Sequence, residues 1–349
     1  MNYTRREYLP ALDGIRGLAI ILVMLYHFSI PFQLSGHLNF LDGLVGTFLQ
    51  VGWVGVDLFF VLSGFLITGI LYGTAGKDNY LKNFFVRRFL RIFPLYYLML
   101  FMLIIIIPNF IPSLASKTDQ MVDNQVWFWS YLINWRISYL GTFEGIQGGY
   151  MWSLALEEQF YLIWPFFILF FRKNVVPSCF ILIIVFACMR VAMLLKGVSA
   201  TSVYTMTITH LDALLIGSII AVARKEERIK KHHLKAFSIL SLVSVLVVFA
   251  IVAFTGKFVF YQKPVAYIGL LAVAIISSYV LIKTVYSESD RVWFTRFFSL
   301  SLMQEFGKLC YGLYLFHHPI GLLVTDKLIA YDGFKLFDSY LPCLLVNIA

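Results

Sequence analysis

The sequence predicts an all-α, polytopic membrane protein with about ten transmembrane helices enclosing a central polar cavity. Three observations predict it. Hydrophobic residues make up 60% of the 349 positions and charged residues only 13%, whereas soluble domains carry about one quarter charged residues. That composition excludes a soluble globular enzyme and a disordered chain. The apolar residues recur along the whole chain in blocks of about 20, the length that crosses a bilayer core, which also excludes a soluble domain on one anchor. Finally, most of the 28 Lys and Arg fall in alternate connections. They mark cytoplasmic loops, so the net charge of +9 implies membrane lipid and no nucleic acid as partner.

The apolar blocks place spans at 12–32, 50–73, 90–110, 152–171, 176–195, 204–223, 236–255, 264–283 and 306–325, with a tenth beginning at Ser339 and cut off at Ala349. The first contains Arg16 and His27 and lacks a small-residue cleavage site, so it reads as a span and not as a cleavable signal. Residues 111–151 read as an outer loop. Its apolar stretch from Trp127 to Trp135 is too short to cross and suits an interfacial or re-entrant piece. With the N-terminus in the cytoplasm, the inner segments hold 19 Lys and Arg and the outer segments 7, which orients the chain in the cytoplasmic (inner) membrane. The whole of 1–349 reads as one transmembrane domain, with its last helix truncated and no soluble C-terminal domain. Cys179, Cys188, Cys310 and Cys343 lie in apolar runs without metal-ligand spacing. They read as small packing residues, and no metal is expected.

Charges within a membrane core cost about 2.5–3.5 kcal/mol each on insertion scales, so the few present deserve a reason. They are Arg16, Asp57, Glu157, Glu158, Arg190 and Asp212, with the titratable His27, His317 and His318. Counting from span midpoints at the helical rise, His27, Asp57, Glu157, Arg190, Asp212 and His317 fall about 2–7 Å to the outer side. Internal ion pairs that merely hold helices together have no reason to converge on one layer, whereas a shared polar cavity does. Arg16 precedes His27 by three helical turns and lies nearer the cytoplasm. Arg87, Arg88 and Arg91 form a basic cluster at the same side. It suits an anchor on lipid headgroups and equally a phosphate clamp, since Arg forks match phosphate geometry.

These residues carry a family resemblance. Tyr8-Leu9-Pro10-Ala11-Leu12-Asp13-Gly14-Ile15-Arg16-Gly17, continuing to His27, resembles the Arg–ten residues–His signature of the acyltransferase family 3 integral-membrane O-acyltransferases. The run from Gly52 to Phe65, with Phe59-Phe60 and Ser63-Gly64, resembles that family's Phe-Phe-x-x-Ser-Gly helix. Arg88-Phe89-Leu90-Arg91 resembles its Arg-x-x-Arg segment, and Trp152-Ser153-Leu154-Ala155-Leu156-Glu157-Glu158-Gln159-Phe160-Tyr161 its Trp-Ser-Leu-x-x-Glu-Glu-x-Phe-Tyr motif. Two segments depart from the pattern. His210-Leu211-Asp212 stands where the family more often has Arg-x-Asp, which leaves the partner of Asp212 open. Cys310-Tyr311-Gly312-Leu313-Tyr314-Leu315-Phe316-His317 replaces Ser-Tyr-Ser-x-Tyr-Leu-Trp-His.

The resemblance implies transfer of an acyl group, usually acetyl, from cytoplasmic acyl-CoA (acetyl-CoA) to a hydroxyl of an exported or cell-surface carbohydrate or glycolipid, alongside polysaccharide-assembly proteins. Lipopolysaccharide, exopolysaccharide, peptidoglycan and small exported molecules are all candidate acceptors. Such a transfer needs a base for the hydroxyl proton and a donor for the carbonyl oxyanion. His27 is the candidate base or acyl relay, because imidazole titrates near neutral pH. Asp57 or Glu157 would orient it. Tyr161, four residues after Glu157, shares a helical face with it, and Glu158, Asp212 and His317 complete the catalytic set. Arg16, Arg87, Arg88, Arg91, Ser63 and Gly64 form the candidate acyl-CoA site, with helix packing as the alternative role of Ser63 and Gly64. Arg190 would pair with Asp212 or Glu158. His318 points about 100° away from His317 on an ideal helix, so only His317 is expected in the layer. The segment Glu144 to Tyr150, rich in glycine, is expected to be a flexible cover over the acceptor. A secondary transporter or flippase of an acyl or sugar conjugate is the alternative from another class, and an inactive scaffold a third. No motif repeats between the halves, and the ionisable set is intact.

Overall fold

A computed structural model describes residues 9–34, 46, 48–286 and 293–330 of the chain. The tenth span expected from Ser339, with Cys343, Arg5, Arg6 and Tyr8, lies outside the described residues. The described residues are 85% helical and contain no strand. Six helical runs among them are long and apolar enough to cross a membrane: Pro10–Ile30, Gln50–Thr74, Tyr80–Phe110, Gly149–Leu195, Lys231–Thr255 and Val265–Val285. The fourth run has 47 residues, far more than the roughly 20 needed to cross once. Phe171 and Asn174 leave helical geometry on either side of Arg172 and Lys173 and divide it into two helices.

The chain forms two compact units, 1–62 with 276–349, and 63–275. The first unit holds helix α1 (Pro10–Leu34) and the start of helix α2 (Val54–Thr74), which follows directly on a 3-10 turn at Gln50–Trp53 and belongs to the second unit from Ser63 on. Helix α10 (Ser301–Ala330) lies along α1. The two pack backbone to backbone. A Cβ on Gly17 would strike the carbonyl of Met303, and one on Gly307 the carbonyl of Asp13. Small residues at such contacts let membrane helices approach closely without a hydrophobic driving force. Phe28 in turn meets Gly321, so contacts advance in step along both helices and the pair runs parallel. Ile20, Met24 and Phe28, four apart on one face of α1, form a buried cluster with Cys310, flanked by Phe306, Leu313 and Tyr314. Cys310 and Cys179 are buried.

In the second unit, helix α3 (Tyr80–Leu100) starts ten residues before the expected span and carries Arg87, Arg88 and Arg91. A π-turn at Phe101–Ile106 follows and leads into Ile107–Phe110. Pro108 has no N–H for the carbonyl one turn back, and a widened turn accommodates that loss. The segment 111–151 is built of short helices, including α4 (Ile133–Leu140). Ile133, Ile137, Ile146, Gly149, Tyr150 and Met151 are buried, while Glu144 and Gly145 are exposed.

Helices α5 (Trp152–Phe171) and α6 (Val175–Leu195) match their expected spans within a residue. The expected span 204–223 is broken. A short helix at Ala200–Thr205 and a 3-10 turn at Thr207–Thr209 precede α7 (Asp212–Lys225). Met206 is extended at φ −72° and ψ 132°. Irregular backbone within an apolar protein must find internal hydrogen-bond partners, and the Thr-rich stretch is well placed to find them: Thr209 donates to Val203 and His210 to Tyr204. The remaining long helices are α8 (Lys231–Thr255) and α9 (Leu270–Val285). Phe180, Ile181 and Ile184 of α6, and Leu242, Leu246 and Phe249 of α8, are exposed. Apolar faces of that extent suit lipid rather than water.

Candidate functional site

In the first unit, three histidines converge. The ring of His27 on α1 lies 4.9 Å, centroid to centroid, from that of His317 on α10 and 5.9 Å from that of His318. His317 Nε2 is 3.2 Å from His27 Nδ1. His27 Nδ1 also lies 2.8 Å from the carbonyl of Val23, one turn back on its own helix. His317 Nδ1 lies 2.7 Å from the carbonyl of Tyr314 and 3.1 Å from that of Leu313. Phe28 covers the His317 ring edge-on at 6.1 Å, and His317 is buried.

His318 is the residue that sequence reasoning left out. Side chains about 100° apart diverge to either side of a contact line that passes between them, so both flank the one residue facing them. Asp57 is fully buried in α2. Arg16 donates to Asp13 at 2.5 Å, an i,i+3 pair on the first turns of α1 that holds the guanidinium half-buried.

In the second unit, Arg88, Glu157, Tyr161 and Ser63 meet. Tyr161 is one turn after Glu157, and its buried hydroxyl donates to the Glu157 carboxylate. Ser63 also hydrogen-bonds Tyr161. The Arg88 guanidinium lies 4.6 Å above the centre of the Tyr161 ring, within cation–π range. Glu158 points elsewhere on α5, and its Oε1 is buried without a hydrogen-bond partner among the described residues. Arg87 and Arg91 are exposed, so of the three basic residues Arg88 is the one built into the cluster. Gly64 is a packing residue: a Cβ there would collide with the backbone of Leu214 on α7, and Ser218 of that helix donates to its carbonyl.

A second buried group in this unit answers the question that His210-Leu211-Asp212 left open. Arg190 of α6 donates to Asp212 at 2.8 Å and to the carbonyl of Thr209 at 2.9 Å. The side chains of Arg190 and Asp212 are 1% and 2% exposed. Asp212 begins α7, where the helix dipole favours a carboxylate. His210 is fully buried; its ring stacks on Trp152 at 20° and its Nδ1 donates to Tyr204.

Nearby, Gln159 donates to Asn134 and to the Tyr131 carbonyl, and accepts from Thr207 and Trp135. A reading restricted to titratable groups passes over this network. The signal for it was an amide or a hydroxyl within an otherwise apolar stretch. Among the described residues, no group of three or more His, Cys, Asp or Glu is arranged to hold a metal ion.

Long apolar helices that carry histidines, a buried ion pair and an arginine–tyrosine–carboxylate cluster define a multi-pass membrane protein. More particularly, the chain belongs to the acyltransferase domain family (acyltransferase family 3), which it matches over residues 9–349. It is 32% identical over 339 residues to the peptidoglycan O-acetyltransferase OatA of Listeria monocytogenes, covering 93% of this chain and 51% of that protein. It is 30% identical to the putative peptidoglycan O-acetyltransferase YrhL of Bacillus subtilis (91% and 49% covered) and 29% identical to the O-acetyltransferase OatA of Staphylococcus aureus (92% and 52%). The chain thus spans about half the length of these relatives. No solved structure matches it.

Proposed function

We propose that the chain is a membrane O-acetyltransferase that moves an acetyl group from acetyl-CoA to a hydroxyl of a cell-envelope carbohydrate, with His27 as general base. The observation that carries the reading is His27 itself. The Arg–ten residues–His motif delivers one imidazole, and it is held by a backbone carbonyl and a second imidazole in a chain that belongs to an acyltransferase family. The acceptor hydroxyl gives its proton to the imidazole as its oxygen attacks the thioester carbonyl. The C–S bond breaks, and the thiolate takes the proton back from the imidazolium, leaving an ester and free CoA. Arg88, held over Tyr161, and the exposed Arg91 one turn along α3 supply charge for the phosphates of the donor. Arg16 is assigned to the same task, and Arg87 to a lesser share of it. Asp57, Glu157 and Glu158 are carboxylates available for proton handling. Of the acceptors that the family leaves open, peptidoglycan is the one named for the relatives.

The test is the purified full chain in nanodiscs with labelled acetyl-CoA and soluble peptidoglycan fragments. Base-labile label on the glycan, accompanied by release of CoA, is expected. His27→Ala should lower turnover about 10²–10⁴-fold at an unchanged thermal midpoint. Unchanged turnover in that variant would remove His27 from the mechanism. Glycan movement across the bilayer without thioester loss would replace the enzyme by a transporter.

A further inference from the structure

Resting on the role proposed for His27, we infer that His317 is the positioning residue that fixes the His27 tautomer, so that Nε2 of His27 is the nitrogen that takes the hydroxyl proton. A carbonyl oxygen only accepts hydrogen bonds. His317 Nδ1 lies on two carbonyls, at 2.7 Å on Tyr314 and 3.1 Å on Leu313, so it carries a proton. In a neutral imidazole the other nitrogen is then an acceptor. That acceptor, Nε2, faces His27 Nδ1 at 3.2 Å. His27 Nδ1 is also 2.8 Å from the Val23 carbonyl. Two acceptors, one from each helix, therefore converge on His27 Nδ1 and keep the proton there. The lone pair of His27 is left on Nε2.

The arrangement reproduces with an imidazole what a carboxylate does in a triad: it selects the tautomer and orients the ring. It also suits the step that follows. Once Nε2 has taken the hydroxyl proton, His27 is an imidazolium whose Nδ1–H already has two acceptors. The helix contact supports this geometry. Gly17 and Gly307 each lie ten residues before the respective histidine, at the closest approach of α1 and α10, so the two imidazoles share a register set by backbone contact.

The experiment is two-bond nitrogen–proton NMR on the full chain labelled with nitrogen-15 histidine, with the His27 signal assigned by its loss in His27→Gln. The Nδ1–H form is expected in the native protein. His317→Leu should move His27 toward the Nε2–H form and lower kcat on the order of 10- to 100-fold, the range seen when a partner orienting a metal-bound histidine is removed. KM for acetyl-CoA should stay unchanged. In His317→Gln, the side-chain carbonyl again accepts from His27 Nδ1, and both readouts should recover in part. In a His27→Ala background, His317→Leu should cost nothing further. A native His27 in the Nε2–H form, or a His317→Leu variant with native tautomer and native kcat, overturns the inference. The NMR readout stands apart from turnover, so an inactive preparation that still shows the Nδ1–H form refutes the proposed activity and not the positioning.

Discussion

The His27–His317 pair of one unit and the Arg190–Asp212 pair of the other are built from the same elements and do different things. Each joins two helices through groups that a membrane interior disfavours, and each leans on backbone carbonyls: Val23, Leu313 and Tyr314 for the histidines, Thr209 for the arginine. They differ in the proton. A guanidinium does not lose its proton in a protein, so Arg190 can only hold Asp212 and anchor α7 beside α6. An imidazole carries one proton on either of two nitrogens, and its neighbours decide which. On the roles proposed above, the Arg190–Asp212 pair is a brace and the His27–His317 pair is the one that handles a proton. Sequence depth alone put both into one layer and gave no means of separating them.

The largest effect that would break this contrast is expected at Asp212. Asp212→Ala leaves a buried, unpaired guanidinium, which costs about 3–5 kcal/mol. A large fall in thermal midpoint or the loss of folded protein is expected on differential scanning fluorimetry. Replacing both partners, with Arg190→Met and Asp212→Leu together, should restore most of the stability, because apolar pairs of similar volume substitute well for buried ion pairs. If the double variant is stable and has native turnover, Asp212 is a brace. If it is stable and inactive, Asp212 belongs to the chemistry and the contrast fails.

A smaller effect is expected at the contact that sets the histidines in register. Gly307→Val places two methyl groups against the backbone of Asp13, and overpacking of this kind costs about 1–3 kcal/mol. Turnover should fall beyond what the shift in midpoint explains, since α10 must move relative to α1 and carry His317 with it. Gly307→Ala should show the same two effects to a lesser degree. A Gly307→Val protein with a lowered midpoint and native turnover would show that the register of the two imidazoles is loose.

Much of this was legible in the sequence, and what was not has physical reasons. Both ends of α5 and α6 and the C-terminal end of α8 follow from apolar blocks bounded by charge or turn residues, whereas α8 starts at Lys231, five residues before the expected span. The segment 204–223 has a suitable composition for a span, but Thr205, Thr207 and Thr209 offer the backbone side-chain partners that compete with helix, and the helix breaks at Met206. Spacing foretold the contact of Glu157 with Tyr161, because residues four apart on a helix are neighbours. It did not foretell Arg88 on Tyr161 or His317 on His27, and it left Arg190 between Asp212 and Glu158. Those contacts join residues 73, 290 and 22 positions apart, and only packing decides such pairs. Gly64 shows the converse: its place in a motif suggested ligand contact, while the backbone of Leu214 against it gives a packing reason for the missing side chain.

The smallest effect tests the arginine–tyrosine cluster of the second unit. Arg88→Lys keeps the charge and removes the planar face that lies on Tyr161, a loss of about 0.5–1 kcal/mol for a partly exposed cation–π contact. If Arg88 binds the donor, that loss appears as a rise of about two- to fivefold in KM for acetyl-CoA with kcat retained, measured as initial rates of CoA release. Arg88→Gln, which removes the charge, should raise KM further. In Tyr161→Leu the ring is gone, so Arg and Lys at position 88 should become equivalent, and the difference between them measures the contact itself. A fall in kcat at unchanged KM in Arg88→Lys would place Arg88 with the reacting atoms and leave the donor phosphates to Arg91 and Arg16. The second unit would then hold more than a brace and a grip.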